Sequence, residues 1–274
     1  ADKFVVVYRD TSNSSYGTAI VGTVSGTTLS FGSEVVFNSV VVEYTQIAFD
    51  PNTAGKFVIT YMNQNNSNYG EAIVGTLSGT TLSFGTAVVF NSAYSLDIKI
   101  AFDPSTAGKF VVVCRDNANS NRGEAIAGAV SGTSISFGSM VVFNTGSTNH
   151  ISVAFDPSTA GKFVVAYRNM GNSNNGTAIV GTLSGTSISF TNPSVFNAGN
   201  SRWTFIAFDP NTAGKFVVAY TDNGNSGYGT AVVGNVAATN ISFGSEIVFN
   251  TASVGYNSIF FNPNTANQFV LAYT

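Results

Sequence analysis

The chain has 274 residues, a net charge of −3 and 9% charged residues, against roughly 25% in an average globular protein. Its 44% hydrophobic content excludes a disordered composition. The scattered Lys and Arg exclude a nucleic-acid footprint, and no apolar run approaches the roughly 20 residues of a membrane helix.

The first apolar run, Lys3-Phe4-Val5-Val6-Val7-Tyr8, sets the organisation. It returns at Lys56–Tyr61, Lys109–Cys114, Lys162–Tyr167, Lys215–Tyr220 and Gln268–Tyr273, each start 53 residues after the last. Strict spacing without insertion means that every copy fills the same geometric slot. Within one period four strands are predicted: Thr45–Asp50, Lys56–Met62, Gly70–Leu77 and Thr81–Phe90. They are rich in β-branched and aromatic residues and are bounded by Gly, Asn, Ser and Pro. No segment sustains a 3.6-residue period, so almost no helix is expected.

The second strand is continuously apolar rather than alternating, which implies burial on both faces. Blades of a propeller, each sandwiched between two others, supply that environment. The first strand carries small Ala48, Ala101, Ala154 and Ala207, as expected nearest a crowded axis. Gly22, Gly75, Gly128, Gly181 and Gly234 interrupt the third strand, which predicts a bulge or a close backbone approach. The turn between first and second strands opens on Asp-Pro, and its Gly55, Gly108, Gly161 and Gly214 are expected at positive φ. The last copy has Asn262 for Asp, Asn267 for Gly and Gln268 for Lys. The joint loss of both charges predicts that this Asp and Lys pair across the hairpin instead of forming a cation site. Cys114 replaces the repeat's Tyr and is expected to be a buried core thiol.

Residues 1–274 are therefore read as one all-β domain, a five-bladed β-propeller of five 53-residue, four-stranded repeats. The ring is expected to close by joining strands from the two ends, which removes exposed edges. One second-type strand is then surplus. It is either Lys3–Arg9 or Gln268–Thr274: the C-terminal copy is expected to displace or flank the N-terminal one, the alternatives being that the surplus strand pairs with another molecule or that the chain is an excerpt of a longer array.

Functional residues are sought where the copies differ. The connection from fourth to first strand varies most, and at one equivalent position the five residues are Tyr44, Asp97, His150, Trp203 and Tyr256. The preceding position has Glu43, Leu96, Asn149, Arg202 and Gly255. In a propeller this connection reaches the axis, so Tyr44, Asp97, His150, Arg202, Trp203 and Tyr256 are expected to ring the channel mouth. Flat aromatic area beside hydrogen-bonding groups suits sugar faces or peptide side chains. A second candidate is the repeated loop after the second strand, with Asn13, Asn66, Asn119, Asn172 and Asn225, and with Tyr16, Tyr69, Arg122 and Tyr228 before its Gly. Five such shallow sites would gain avidity; the alternative is a loop bonded only to itself. One histidine and one cysteine provide no metal-ligand spacing, so no metal, cofactor or catalytic residue is assigned. A carboxylate pair of Glu43 with Asp97 is the one arrangement considered for catalysis, on a propeller-scaffold hydrolase.

The string FDPNTAGKFVVAY followed by NS-x-YG-TAIVGT-x-SGTSISFG resembles tandem repeats in predicted tail-fibre and adhesin-like proteins of marine viruses and bacteria, over essentially the whole chain. The resemblance implies an extracellular or virion-surface setting, with recognition or scaffolding as the role. The expected function is a non-catalytic, lectin-like module whose partner is a glycan or other cell-surface ligand. The alternative is a structural subunit of a fibre or appendage that assembles with copies of itself through its terminal strand.

Overall fold

The structure, a computed structural model, describes residues 2–274. The chain opens with β1 (Lys3–Asp10), β2 (Tyr16–Ser25), β3 (Thr28–Phe31) and β4 (Val35–Phe49). The pattern repeats as β5 (Lys56–Asn63), β6 (Tyr69–Ser78), β7 (Thr81–Phe84) and β8 (Val88–Phe102), then as β9 (Lys109–Asp116), β10 (Arg122–Ser131), β11 (Ser134–Phe137) and β12 (Val141–Phe155). It continues through β13 (Lys162–Asn169), β14 (Asn175–Ser184), β15 (Ser187–Phe190) and β16 (Ser194–Phe208), then β17 (Lys215–Asp222), β18 (Tyr228–Ala237), β19 (Asn240–Phe243) and β20 (Ile247–Ser253). A hairpin of β21 (Ser258–Phe261) and β22 (Phe269–Ala272) follows. The fold is all-β and every pairing is antiparallel. Among the described residues the helix is limited to a 3-10 turn at Asn223–Asn225.

One unit shows the rule. The C-terminal half of β4 pairs with β5, with Phe49 opposite Phe57 and Val42 opposite Asn63. β5 pairs along its length with β6. The far edge of β6 is shared: Gly75 faces Phe84 of β7, and Ala72 faces Val88 of β8. The fourth strand, expected unbroken over Thr81–Phe90, is thus split after Phe84. The break leaves no orphan at this point, because the Gly85 N–H donates to the Val74 carbonyl at 2.9 Å. The outer piece then runs on without a loop into the inner strand of the next unit. Four of the variable segments expected as connections are therefore mid-strand, and the fifth, 251–257, spans the break between β20 and β21.

Consecutive sheets pack face to face, and this explains the continuously apolar second strand. Val5, Ala19 and Val21 of the first unit form one cluster with Phe57, Ile59, Tyr61 and Ile73 of the second. Val58, Ala72 and Val74 leave the second unit's other face and meet Phe110, Val112, Cys114 and Ile126 of the third. The next two interfaces repeat this at equivalent positions. Cys114 is buried there as expected, and burial pushes its thiol pKa far up. The strand glycines serve these interfaces: a Cβ on Gly75, Gly128, Gly181 or Gly234 would overlap the ring of Phe57, Phe110, Phe163 or Phe216 on the paired strand. Close approach is thus the reason for each.

The hairpin glycines take the expected positive φ, 71° at Gly55 and 61° at the substitute Asn267. The expected Asp–Lys pairing is overturned. Asp50 accepts the Asn52 N–H within its turn and the Gly108 N–H of the following unit, each at 2.9 Å. Lys56 instead donates to the Thr76 hydroxyl at 2.8 Å. The carboxylate is a tie between units; Asp209 makes the same bond to the Asn267 N–H at 2.8 Å. Asn262, with no unit after it in the structure, bonds across its own hairpin to Gln268 at 2.6 Å.

The two ends do not share a sheet. β1 pairs with β2 and has no inner strand beside it. β22 pairs with β21 alone, as a separate two-stranded sheet. Their outer faces are bare: Leu29 is 62% exposed and Phe31 56% on the first unit, and Ile247 is 64% exposed and Val233 47% on the fifth. The interior counterparts of Val233 (Val21, Val74, Ala127 and Val180) are all buried.

Candidate ligand site

Where each outer strand becomes the next inner strand, the ladder slips. In β4 the register jumps between Glu43 and Gln46, and equivalent jumps recur in β8, β12 and β16. The slipped residue is Tyr44, Asp97, His150 or Trp203, and Tyr256 holds the equivalent place before β21. All five are in the left-handed region, with φ of 51°, 49°, 51°, 50° and 46°. Bulky residues enter this region at a cost on the order of 1 kcal/mol or more each, and none of the five is Gly or Asn. The backbone is repeated strictly while the side chain varies, with four residue types over the five copies.

These five side chains line one hollow of about 480 Å³, together with Gln46, Lys99, Ile151, Thr204, Phe205, Asn257 and Ser258. They come from the inner halves of β4, β8, β12 and β16 and from the segment leading into β21. Trp203 packs against His150, centroids 4.6 Å apart and planes tilted by 51°, and against Tyr256, 4.2 Å apart and tilted by 36°. Cross-unit bonds fix this packing: Asn257 Nδ2 donates to the Trp203 carbonyl at 3.1 Å, and the Thr204 hydroxyl donates to the His150 carbonyl. Trp203 is half-buried, so the most open aromatic surface is that of Tyr256, 67% exposed, and Tyr44, 40% exposed.

The charges in this region are poorly solvated. Asp97 Oδ2 lies 3.6 Å from Arg115 Nε, too far for a hydrogen bond, and both atoms are buried without another partner. Burial raises the Asp97 pKa despite the Arg115 and Lys99 charges. Burial also lowers the Lys99 pKa, against the pull of Asp97. His150 falls to about 4, first through burial and then through the fields of Arg168, Arg202, Arg115 and Lys99. Its imidazole is therefore neutral at pH 7, with one nitrogen to donate and one to accept. Buried, incompletely satisfied polar groups beside aromatic area make a site for a ligand that is both hydroxylated and partly apolar.

The other sequence candidates fall outside this hollow. Arg202 is solvent-exposed and does not line it; it acts only through its field. Glu43 does not meet Asp97, being bonded to Arg9 at 2.7 Å. The repeated loops are largely bonded to themselves. Asp10 accepts the N–H groups of Ser12 and Asn13, Asn63 those of Asn65 and Asn66, and Asp116 those of Ala118 and Asn119. Asn66 donates to Glu71 at 3.0 Å, and Arg122 is ion-paired to Glu124 at 2.6 Å. Asn13, Asn172, Asn225, Tyr16, Tyr69 and Tyr228 line no part of the shared hollow. Sequence reasoning missed Gln46 and Lys99. A signal existed, because two residues beyond the variable slot the copies also differ (Gln46, Lys99, Ser152, Phe205 and Ser258).

No family model matches the sequence, and no curated protein matches it. Several solved structures share its fold. The NanB sialidase of Streptococcus pneumoniae is 12% identical with a TM-score of 0.50, over 75% of this chain and 32% of the sialidase. Sqt1 of Chaetomium thermophilum is 14% identical with a TM-score of 0.57, over 95% of this chain and 59% of Sqt1. The SapL1 lectin, solved with α-methyl fucoside, is 13% identical with a TM-score of 0.55, over 92% of this chain and 76% of the lectin. The chain thus spans about a third of the sialidase and about three fifths of Sqt1. Together with the repeated antiparallel units, these similarities define a β-propeller-like fold. At such identities they define the fold alone.

Proposed function

We propose that the chain is a non-catalytic recognition module that binds one glycan in the shared hollow, in an extracellular or virion-surface setting. This reading takes the five units as blades of one five-bladed propeller. The observation that carries it is the convergence of four kinds of side chain, from five equivalent positions in otherwise similar repeats, on one hollow with a strained backbone at each. Tyr256 and Tyr44 offer ring faces to the apolar side of a sugar, and Asp97, Gln46, Lys99 and Asn257 take its hydroxyls. The similarity to a lectin solved with a fucoside and to a sialidase supports a sugar as the ligand. Asp97 is the one carboxylate lining the hollow, which supports binding over acid–base hydrolysis, since paired carboxylates are the usual requirement.

Glycan-array screening followed by titration calorimetry tests the reading. Binding that weakens at least tenfold in Tyr256→Ala and in Asp97→Asn supports it. Binding unchanged in both variants, or lost only when the Asn-Ser loops are altered, refutes the central site. A structural role in a fibre is the second reading, favoured by the bare apolar faces at the two ends; assembly that rises with concentration and no glycan binding would establish it.

A further inference from the structure

The apolar groove on the fifth unit is an interface with half of its cover missing. It measures about 400 Å³ and is lined by Val217, Val233, Ile247, Phe269, Leu271 and Tyr273, among others. β21 and β22 occupy the place that the inner two strands of a following blade would take. Asn211 Nδ2 donates to the Asn262 carbonyl at 3.2 Å, as Asn52 Nδ2 does to the Pro104 and Asp103 carbonyls at an earlier interface. Within residues 2–274 no third and fourth strands stand beside that hairpin, and at the earlier interfaces such strands cover Val21, Val74, Ala127 and Val180. At the other end, the first unit has third and fourth strands, β2 to β4, but no inner strand.

We propose that the two incomplete sheets complete each other within one chain, with β22 taking the place of β1 on the edge of β2. The proposal rests on the five-blade reading. β22 is a copy of β1, so the register follows from the present one. Phe4 faces Gly22, Val6 faces Ile20 and Tyr8 faces Thr18; adding five periods places Phe269 opposite Gly22, Leu271 opposite Ile20 and Tyr273 opposite Thr18. Val270, 69% exposed, takes the place of Val5, which is 7% exposed against the second unit. Leu29 and Phe31 then lie over Val233 and Ile247, as Leu82 and Phe84 lie over the first unit's inner face. The exchange gives β2 an equivalent edge partner and joins it to an inner strand. It leaves Lys3–Asp10 as the displaced segment. β22 is the better occupant because β21 comes with it as an inner strand tied to the fifth unit, whereas β1, held in a hairpin with β2, brings no inner strand. Small changes at each of four similar interfaces accumulate into the curvature required, as in other repeat arrays.

Paired cysteines test this in the full chain without any ligand, so the outcome is independent of glycan binding. Ile20→Cys with Leu271→Cys is compared with Ile20→Cys with Val6→Cys under mild oxidation, with products resolved by non-reducing electrophoresis and peptide mapping. The proposal expects the first pair to cross-link within a monomer in most molecules and the second pair to link poorly. A first pair that links only between two chains shows that a second copy fills the groove and overturns the proposal. Efficient linkage of the second pair with none of the first overturns it as well, since β1 then keeps its place.

Discussion

Replacing Gly128 with Ala tests the packing rule that makes the repeat a stack of sheets. Gly128 lies under the Phe110 ring, on the strand opposite, and an added Cβ would overlap that ring. Phe110 is completely buried, against Phe102 at 5.3 Å and Phe137 at 5.9 Å between centroids, so it has no free direction in which to move. Overpacking of this kind costs about 1–3 kcal/mol, offset by roughly 0.5–1 kcal/mol from the lower chain entropy of Ala in a strand. A net loss of about 1–2 kcal/mol is expected. Phe110→Leu alone costs a comparable amount through the cavity it leaves. The double variant is expected to lose less than the sum, because the new methyl occupies vacated space. Gly22→Ala serves as the contrast: its partner Phe4 lies on the bare first face, is not fully buried, and can give way, so the loss stays below about 1 kcal/mol. Urea unfolding followed by circular dichroism reads all four variants. Strict additivity, or equal costs at Gly22 and Gly128, would refute the packing argument.

Three further outcomes follow from the same contacts. Asp50→Asn is expected to destabilise by about 1–3 kcal/mol, since one charged acceptor serves two N–H groups, that of Gly108 buried; a double-mutant cycle with Lys56→Met should show no coupling, and a coupling above about 0.5 kcal/mol would restore the Asp–Lys pairing. The His150 pKa is lowered from 6.5 to about 4, so the unfolded chain takes up this proton first. The contribution is whole above pH 6.5 and is lost as pH falls toward 4, by at most about 3 kcal/mol. His150→Gln should remove that part of the acid sensitivity, as measured by unfolding at pH 7 and pH 4.5, and an unchanged slope would contradict it. Cys114, 1% exposed, should resist aromatic disulfide reagents in the native protein and react once denatured; rapid native labelling would show that the third unit opens.

Much of the fold was legible because each unit carries its own signals. The spacing of Lys3, Lys56 and Lys109 gave the period, the unbroken apolar run at Lys56–Met62 gave the sandwich, and Gly75 marked the close approach of Phe57. What escaped was long-range or left no local mark. The partner of Asp50 lies at Gly108, in the next unit, and a strict repeat shows that a position is shared without showing with which copy. The left-handed bend at Tyr44 or Trp203 carries no Gly or Asn to announce it, so a continuous strand was read as a loop. Variation among copies picks out Tyr44, Asp97, His150, Trp203 and Tyr256, which line one hollow. It could not show that Arg202 faces away, since the slip in register changes which neighbours share a face. Nor could it show that Trp203 is half-buried against His150 and Tyr256, which leaves Tyr256 and Tyr44 as the most open aromatic surface. The pairing of the two ends is equally silent in the sequence, because every second-type strand carries nearly the same edge.

Binding stoichiometry tests the central claim most directly. Titration calorimetry of the intact chain with the best glycan from an array should give one site per chain, abolished or weakened at least tenfold by Tyr256→Ala, with the Asn66→Ala and Asn119→Ala loop variants unaffected. Five equivalent sites per chain, insensitive to Tyr256→Ala, would contradict the account.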